Sequence, residues 1–471
     1  MKRFLLCLIA LSLLAAAPAG ARSLETGLVA GDPYYGSDAD LAFQQTRAAG
    51  ASTVRLQLSW REVAPDGGTK PAGFDPTNPF DGAYRWGTLD QLVQRAVANG
   101  LQPLIGITDS PTWAETTSGG RAGTNRPDPV EFGRFAEAAA RRFSGGFPGL
   151  PRVKIWEAWN EANASFFLHP NAGSPAHYRQ MVNEFAAGVK RVNAGNIVVA
   201  GGLFPFVINR PSAQAIGPLR FMRELFCLSK RLRPIRGCDG RTRFDYWSHH
   251  PYTSGGPTHT ASNPDNVSIR ELPRMRKVLR AAIRYKKIIH SRRVRFWVTE
   301  FSWDSNPPDP NGVPIDLHAR WVAEGLYRMW SAGVSLVTWF QLRDDEPKGK
   351  PHNEVFESGL YEFCAGGLGC DRPKLSLQAF RFPFVAFRTG RYARVWGRTP
   401  DSRRGTVIIE QLTGQSWRTV GRLRARKGGI FEGRRRRHGG GPLRARLKLG
   451  GELSVQFSLQ RPPDRPVNPF G

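Results

Sequence analysis

The sequence predicts an α/β fold: a (β/α)8 TIM barrel followed by a small C-terminal antiparallel β-sandwich. Short apolar runs alternate with helix-period segments between residues 26 and 390, the pattern of a parallel sheet covered by helices. After Gly390 the helical period disappears, and short strands follow one another with glycine turns between them. The chain has 471 residues, too many for one ordinary compact domain and suited to a large barrel plus a module. An open doubly wound sheet is the other solution, but no glycine-rich phosphate turn follows the first strand.

The leader comes first. Met1-Lys2-Arg3 precedes the apolar run 4–17 and Pro18-Ala19-Gly20-Ala21, the pattern of a secretory signal cleaved after Ala21. The run is too short for a comfortable membrane span, and no later run is longer and apolar. The chain is therefore expected to be secreted, with no stable membrane span. Residues 22–390 are expected to form the barrel domain. Strands fall at 26–30, 53–58, 101–108, 153–159, 197–201, 244–248, 294–299 and 334–340. Helices fall between them. In 88–100, Leu89, Leu92, Val93, Ala96 and Val97 share one face, Thr88 and Gln91 read as a capping box, and Gly100 stops the helix. Asp128 reads as the cap of the next helix, with Pro129 in its first turn. Later helices are expected near 178–192, 219–228, 272–284 and 317–330.

Residues 391–460 read as the sandwich, with strands at 394–396, 406–410, 417–420, 443–449 and 453–459. Arg434 to Arg437 with Gly439-Gly440-Gly441 reads as a mobile loop. The Pro-rich tail 461–471 reads as disordered.

Cys7 leaves with the leader. Four cysteines remain, Cys227, Cys238, Cys364 and Cys370, and an even number in an exported chain points to disulfides. Four allow three connectivities, of which the local pairs 227–238 and 364–370 are favoured. No histidine sits at ligand spacing from either pair, so no metal is expected there. The net charge is +28, and residues 391–471 carry 19 lysines and arginines against 5 acidic residues. Nucleic acid is an unexpected partner for an exported protein. The excess fits either a solvated basic surface or adhesion to an anionic cell-wall polymer through the C-terminal module.

The chemistry concentrates in two segments. Ile155 to Asn163 reads Ile-Trp-Glu-Ala-Trp-Asn-Glu-Ala-Asn, and Arg295 to Trp303 reads Arg-Phe-Trp-Val-Thr-Glu-Phe-Ser-Trp. Each is a short apolar run ending on a carboxylate among aromatics. Glu161 and Glu300 are 139 residues apart, so only the fold can unite them. Two carboxylates flanking a sugar ring perform glycoside hydrolysis, and charged residues are seldom buried without use or pairing. Glu300 needs a polar partner, for which Tyr252 and Arg55 are the candidates. Arg55 could equally pair with Glu157 inside the barrel. Glu157 lies four residues before Glu161, too low in the barrel to serve as a catalyst. Trp339 and Trp113 could offer stacking faces to a sugar or pack under loops; Trp60 and Trp303 are weaker candidates. His249 and His250 are adjacent and point to opposite strand faces, which argues against a metal site. Asn163-Ala164-Ser165 matches a glycosylation sequon but sits in the catalytic loop.

The run Trp156-Glu157-x-Trp159-Asn160-Glu161-x-Asn163, with a glutamate ending a seventh strand, resembles clan A of the glycoside hydrolases. It is most similar to family 39 and its neighbours, over residues 26–390. The resemblance implies a (β/α)8 barrel and retaining hydrolysis of an oligo- or polysaccharide, with a lean to β-linkages. It implies Glu161 as acid/base, Glu300 as nucleophile and Asn160 as partner of the sugar 2-hydroxyl. Within Ser248-His249-His250-Pro251-Tyr252 it casts His250 as a substrate contact and Tyr252 as hydrogen-bonded to Glu300. Ala162 stands where relatives often carry proline, which bears on loop rigidity more than chemistry. No cofactor is implied. The competing reading is a catalytically silent barrel that binds carbohydrate or cell wall.

Overall fold

The computed structural model describes residues 22–462 and 465–469. The expected leader, its cleavage point and Cys7 lie outside them. Eight parallel strands close into a barrel: β1 (Glu25–Val29), β2 (Thr53–Ser59), β3 (Gln102–Thr108), β4 (Ile155–Ala158), β5 (Ile197–Leu203), β6 (Tyr246–His249), β7 (Arg295–Val298) and β8 (Val334–Trp339). Neighbours in sequence are neighbours in space, and β8 returns to pair with β1. The covering helices are α1 (Ala39–Ala48), α2 (Gly87–Ala98), α3 (Pro129–Arg142), α4 (Ser174–Val192), α5 (Pro218–Leu225), α6 (Leu272–Arg284), α7 (Ile315–Ala332) and α8 (Leu375–Arg381).

Local chemistry explains the helix starts. The Asp128 side chain accepts hydrogen bonds from the backbone N–H groups of Val130 and Glu131, as its position predicted. Phe132, Phe135, Ala136 and Ala139 are buried along one face of α3. The capping box expected at Thr88 does not form. Helix α2 begins at Gly87, so Thr88 is already inside it, and the residue before it makes no side-chain cap bond.

The barrel interior is layered. Leu104, Ile155, Val199, Tyr246, Trp297 and Leu336 form a closed apolar cluster of their own. Side chains two residues further along a strand point the same way, one layer up. From Ile155, Tyr246 and Trp297 that step reaches Glu157, Ser248 and Thr299. A polar layer therefore sits directly on an apolar plug, beneath the C-terminal mouth of the barrel.

Beyond the barrel lie two three-stranded antiparallel sheets. One is β9 (Phe384–Thr389), β10 (Tyr392–Arg398) and β13 (Ile430–Arg436); the other is β11 (Gly405–Thr413), β12 (Ser416–Ala425) and β14 (Leu443–Leu447). Phe384, Val395, Val407, Ile409, Phe431, Leu443 and Ala445 are buried in this region. Trp396 meets Tyr327 and Trp330 of α7 at 5.4 and 5.3 Å between ring centres, joining the region to the barrel.

Three expectations are corrected here. Arg434 to Arg436 are not a loop but the end of β13, paired with Tyr392–Arg394; the Arg434 guanidinium lies 4.8 Å from the Tyr392 ring centre. The buried Ile430 and Phe431 seed the strand and its backbone ladder carries it on through the arginines. Residues 453–459 form only isolated bridges, at Leu453 and Phe457, rather than a strand. The tail is tied to barrel loops: Arg465 donates to the Gly312 carbonyl at 3.0 Å, and the Val467 N–H to that of Ser254 at 3.1 Å.

Both local cysteine pairs are bonded. The α-carbons of Cys227 and Cys238 are 5.5 Å apart and those of Cys364 and Cys370 5.8 Å. Among the described residues no helix is long and apolar enough to cross a membrane.

Candidate active site

The fold brings Glu161 and Glu300 together at the barrel mouth. Glu300 follows β7 by two residues. Glu161 follows β4 on a turn in which Trp159 and Glu161 both adopt the left-handed conformation, at φ 68° and 44°. Such backbone in non-glycine residues costs of order 1–3 kcal/mol and persists only when its surroundings enforce it. Here they do. The Glu161 N–H donates to the Gly202 carbonyl at 2.9 Å and the Trp159 indole to the Phe167 carbonyl at 2.9 Å. The Asn163 amide donates to the carbonyls of Phe204 and Ile216 and accepts from the Phe204 N–H. Asn163 is wholly buried, so the sequon offers no acceptor for a glycan. Gly201 lets β5 approach β6: a β-carbon there would lie 2.2 Å from the Ser248 carbonyl oxygen.

Arg55 organises the site from β2. Its Nε donates to Glu157 Oε2 at 2.7 Å, its Nη1 to Glu300 Oε2 at 3.0 Å and its Nη2 to Asn160 Oδ1 at 2.8 Å. Both positions considered from the sequence are thus occupied at once, because one planar fork spans the polar layer and the mouth. Glu157 completes its bonding through Oε1, which accepts from Ser248 Oγ at 2.7 Å and Thr299 Oγ1 at 2.8 Å. Arg55 and Glu157 have no accessible surface, so each cancels a charge the other could not carry alone. Glu157, fully buried, anchors the cation that holds Glu300. Ser248 and Thr299 were not singled out from sequence.

The two carboxylates sit in different surroundings. Glu300 accepts from Arg55 and from the Tyr252 hydroxyl at 2.9 Å. Burial keeps the Tyr252 phenol protonated, and nearby Glu300 raises it further. Among the described residues Glu161 has no cation in contact; its Oε1 lies 2.9 Å from His250 Nδ1. Burial first and the Glu300 charge second hold the Glu161 carboxyl well above the ordinary carboxylate range. Burial raises Glu300 too, but Arg55 and Tyr252 pull it back, so the shared proton belongs on Glu161. The Glu300 side chain is 16% exposed and that of Glu161 8%, so both are open to the mouth.

Hydrogen-bond bookkeeping gives the same answer. Burial holds His250 well below the ordinary imidazole range, so it is neutral and carries one N–H. Thr299 has a single hydroxyl proton, which goes to Glu157. The Thr299 oxygen, 3.2 Å from His250 Nε2, must then accept from that nitrogen. This leaves Nδ1 as an acceptor facing Glu161, a contact that is satisfied only when Glu161 carries the proton.

The remaining expected residues divide. Tyr252 bonds Glu300 as expected, and Asn160 lies at the mouth with its Oδ1 held by Arg55 while its amide nitrogen makes no hydrogen bond among the described residues. His250, expected as a substrate contact, is wholly buried and lies behind Glu161, with its Nδ1 2.9 Å from Glu161 Oε1. Trp339 presents no stacking face. It is 1% exposed, packs on Phe301, His318 and Phe380, and donates to the Ser358 carbonyl. Trp113 is half-buried against Trp60 and Phe74, with Lys70 5.3 Å from its ring centre. Trp60 and Trp303 are buried. Among the described residues, two sets of metal-ligating atoms lie within 4.8 Å of one another: Glu161, His250 and Glu300, and Asp309, His352 and Glu357. In the first, Arg55 already supplies the compensating positive charge.

No family model matches the chain, and no curated protein matches it. Solved structures do. A family 39 glycoside hydrolase from the gut symbiont Bacteroides cellulosilyticus WH2 superposes with a TM-score of 0.51 at 18% identity, covering 88% of this chain and 79% of that one. This chain shares its fold. A glucosidase from Croceicoccus marinus gives 0.49 at 17% identity, over 89% and 83%. A family 39 enzyme from Xanthomonas axonopodis pv. citri gives 0.49 at 15%, over 88% and 93%.

Proposed function

We propose that this protein is a secreted retaining glycosidase that cleaves β-glycosidic bonds of an oligo- or polysaccharide. One observation carries the reading: oxygens of Glu161 and Glu300 lie within 4.8 Å of each other in opposite electrostatic surroundings. Retaining enzymes hold their carboxyl groups about 5–5.5 Å apart, inverting ones about 6.5–9.5 Å. The shared fold with a family 39 glycoside hydrolase supports the same reading, and the two disulfides support export.

In this mechanism Glu300, held ionised by Arg55 and Tyr252, attacks the anomeric carbon. Glu161 gives its proton to the leaving oxygen. Forming the ester removes the Glu300 charge, and with it the repulsion that raised Glu161. Glu161 can then ionise and take a proton from the attacking water. Arg55 holds the Asn160 carbonyl oxygen, which turns the amide nitrogen toward the sugar 2-hydroxyl. The basic C-terminal module would keep the enzyme on an anionic cell-wall polymer.

The test is chemical trapping. A 2-fluoro-β-glycoside should label Glu300 and no other residue, read by peptide mass spectrometry. Glu300→Ala should abolish turnover, with azide restoring it and giving inverted product; Glu161→Ala should spare substrates with good leaving groups. If both variants lose activated aryl glycosides equally and azide rescues neither, the assigned roles are wrong. A barrel that binds sugar without turnover would show no label at all.

A further inference from the structure

At the opposite end of the barrel, five arginines line one concavity of about 580 Å³: Arg22, Arg276, Arg280, Arg293 and Arg295, with His290 beside them. Arg22 precedes β1, Arg276 and Arg280 lie on α6, and Arg293 and Arg295 bracket the start of β7. The lining contains no carboxylate. None of the five forms an ion pair among the described residues, whereas Arg55, Arg142, Arg381 and Arg444 all do. What they have instead is weak. Arg22 and Arg295 lie 5.1 and 5.3 Å from the ring centres of Trp330 and Tyr246, and Arg276 donates to the Ala332 carbonyl. The guanidinium groups of Arg280 and Arg293 make no hydrogen bond among the described residues. The charges feel one another: after burial, the chief influences lowering Arg276 are Arg280, Arg22 and Arg293. Glu25 and Glu432 act on Arg295 and Arg22 only from beyond ion-pair distance.

Five guanidinium groups around one hollow, none in an ion pair among the described residues, repel each other. A multiply charged anion would relieve that repulsion and find planar donor forks from several sides, the arrangement that suits tetrahedral oxyanions. We propose that this concavity is a binding site for phosphate groups, either free or in a phosphodiester-linked polymer. It lies five residues of strand, roughly 16 Å at about 3.3 Å per residue, from Glu300. Occupancy can therefore coexist with substrate at the mouth.

The experiment uses the full chain at constant ionic strength, titrated calorimetrically with pyrophosphate, inorganic phosphate, a poly(glycerol phosphate) and malonate. Pyrophosphate should saturate one site, and Arg280→Gln/Arg293→Gln should weaken it at least tenfold. The exposed pair Arg422→Gln/Arg424→Gln should leave it unchanged. Tighter binding of the polymer assigns a phosphodiester chain as the ligand; tighter binding of the small anions assigns free phosphate. Without ligand, the Arg280/Arg293 double variant should melt no lower than the parent, since repulsion is removed, and pyrophosphate should no longer raise its Tm. The proposal is overturned by non-saturable binding, by equal affinity in the double variant, or by malonate binding as tightly as pyrophosphate.

Discussion

Thr299→Val tests the proton assignment at its least conspicuous member. Thr299 touches neither Glu161 nor Glu300. Its oxygen accepts from His250 Nε2 at 3.2 Å while its proton goes to Glu157 at 2.8 Å. Valine keeps the shape and deletes the acceptor. A buried N–H without a partner costs about 1–3 kcal/mol. The imidazole can avoid that cost by moving its proton to Nδ1, where it donates to Glu161 and stabilises the carboxylate. At 1.36 kcal/mol per unit, the Glu161 pKa should fall by about 1–2 units. The sign follows from the role: the acid works only when protonated, so the alkaline limb of kcat/KM should move to lower pH by that amount. The assay is a pH profile on an aryl β-glycoside with a poor leaving group, which needs the proton. Thr299→Ser restores the oxygen and should restore the limb. An alkaline limb that stays put or moves upward in Thr299→Val would refute the tautomer assignment, as would a serine variant that behaves like valine.

Arg55→Lys should lower kcat by roughly 10–100-fold, the value of one charge-assisted bond to Glu300 of about 1.5–3 kcal/mol, because a point charge cannot serve Glu157, Glu300 and Asn160 together. Its thermal unfolding should also show a loss of stability, since Glu157 stays buried. Glu161→Gln should stabilise the fold at neutral and alkaline pH: a carboxyl raised in the folded state loses stability as pH rises from the unfolded value, about 4.3, through the folded one. Denaturant melts at several pH values should show the gain vanish in acid. Removing Cys227–Cys238 should cost about 3 kcal/mol and Cys364–Cys370 about 2 kcal/mol, as expected from closing loops with separations of 11 and 6 residues; equal losses in denaturant titrations would contradict that loop-entropy ordering.

Much of the barrel was legible because its parts announce themselves locally. The eight strands are apolar runs, and α3 carries its cap and first-turn proline in Asp128-Pro129. The features that misled were those where local chemistry and tertiary pairing disagree. Four consecutive arginines read as a mobile loop, yet a backbone ladder does not depend on side-chain polarity, and β13 runs through three of them. Trp339 ends a strand near the site, but its side chain turns toward Phe380 of α8 rather than into the mouth. An aromatic at a strand end is a platform or a plug according to its parity, and parity is set by the barrel's register.

The same parity shows what could have been found. Tyr246, Ser248 and His250 alternate along β6 and the residue that follows it, as do Trp297 and Thr299 along β7 and its next residue, and Ile155 and Glu157 along β4. Once Trp297 and Ile155 are taken as interior, every second residue toward the C-terminal end must face the barrel axis. Glu157 then cannot be an idle strand carboxylate, because a buried charge on the axis needs a cation, and Arg55 on β2, one strand beyond β3, reaches it across the interior. Ser248 and Thr299 follow as the hydroxyls available at that height. What no one-dimensional reading supplies is the direction of their protons. That depends on Thr299 having two neighbours and only one hydrogen, a fact of three-dimensional contact. It is also what converts a cluster of polar residues into an ordered site, with the proton on Glu161 and the charge on Glu300.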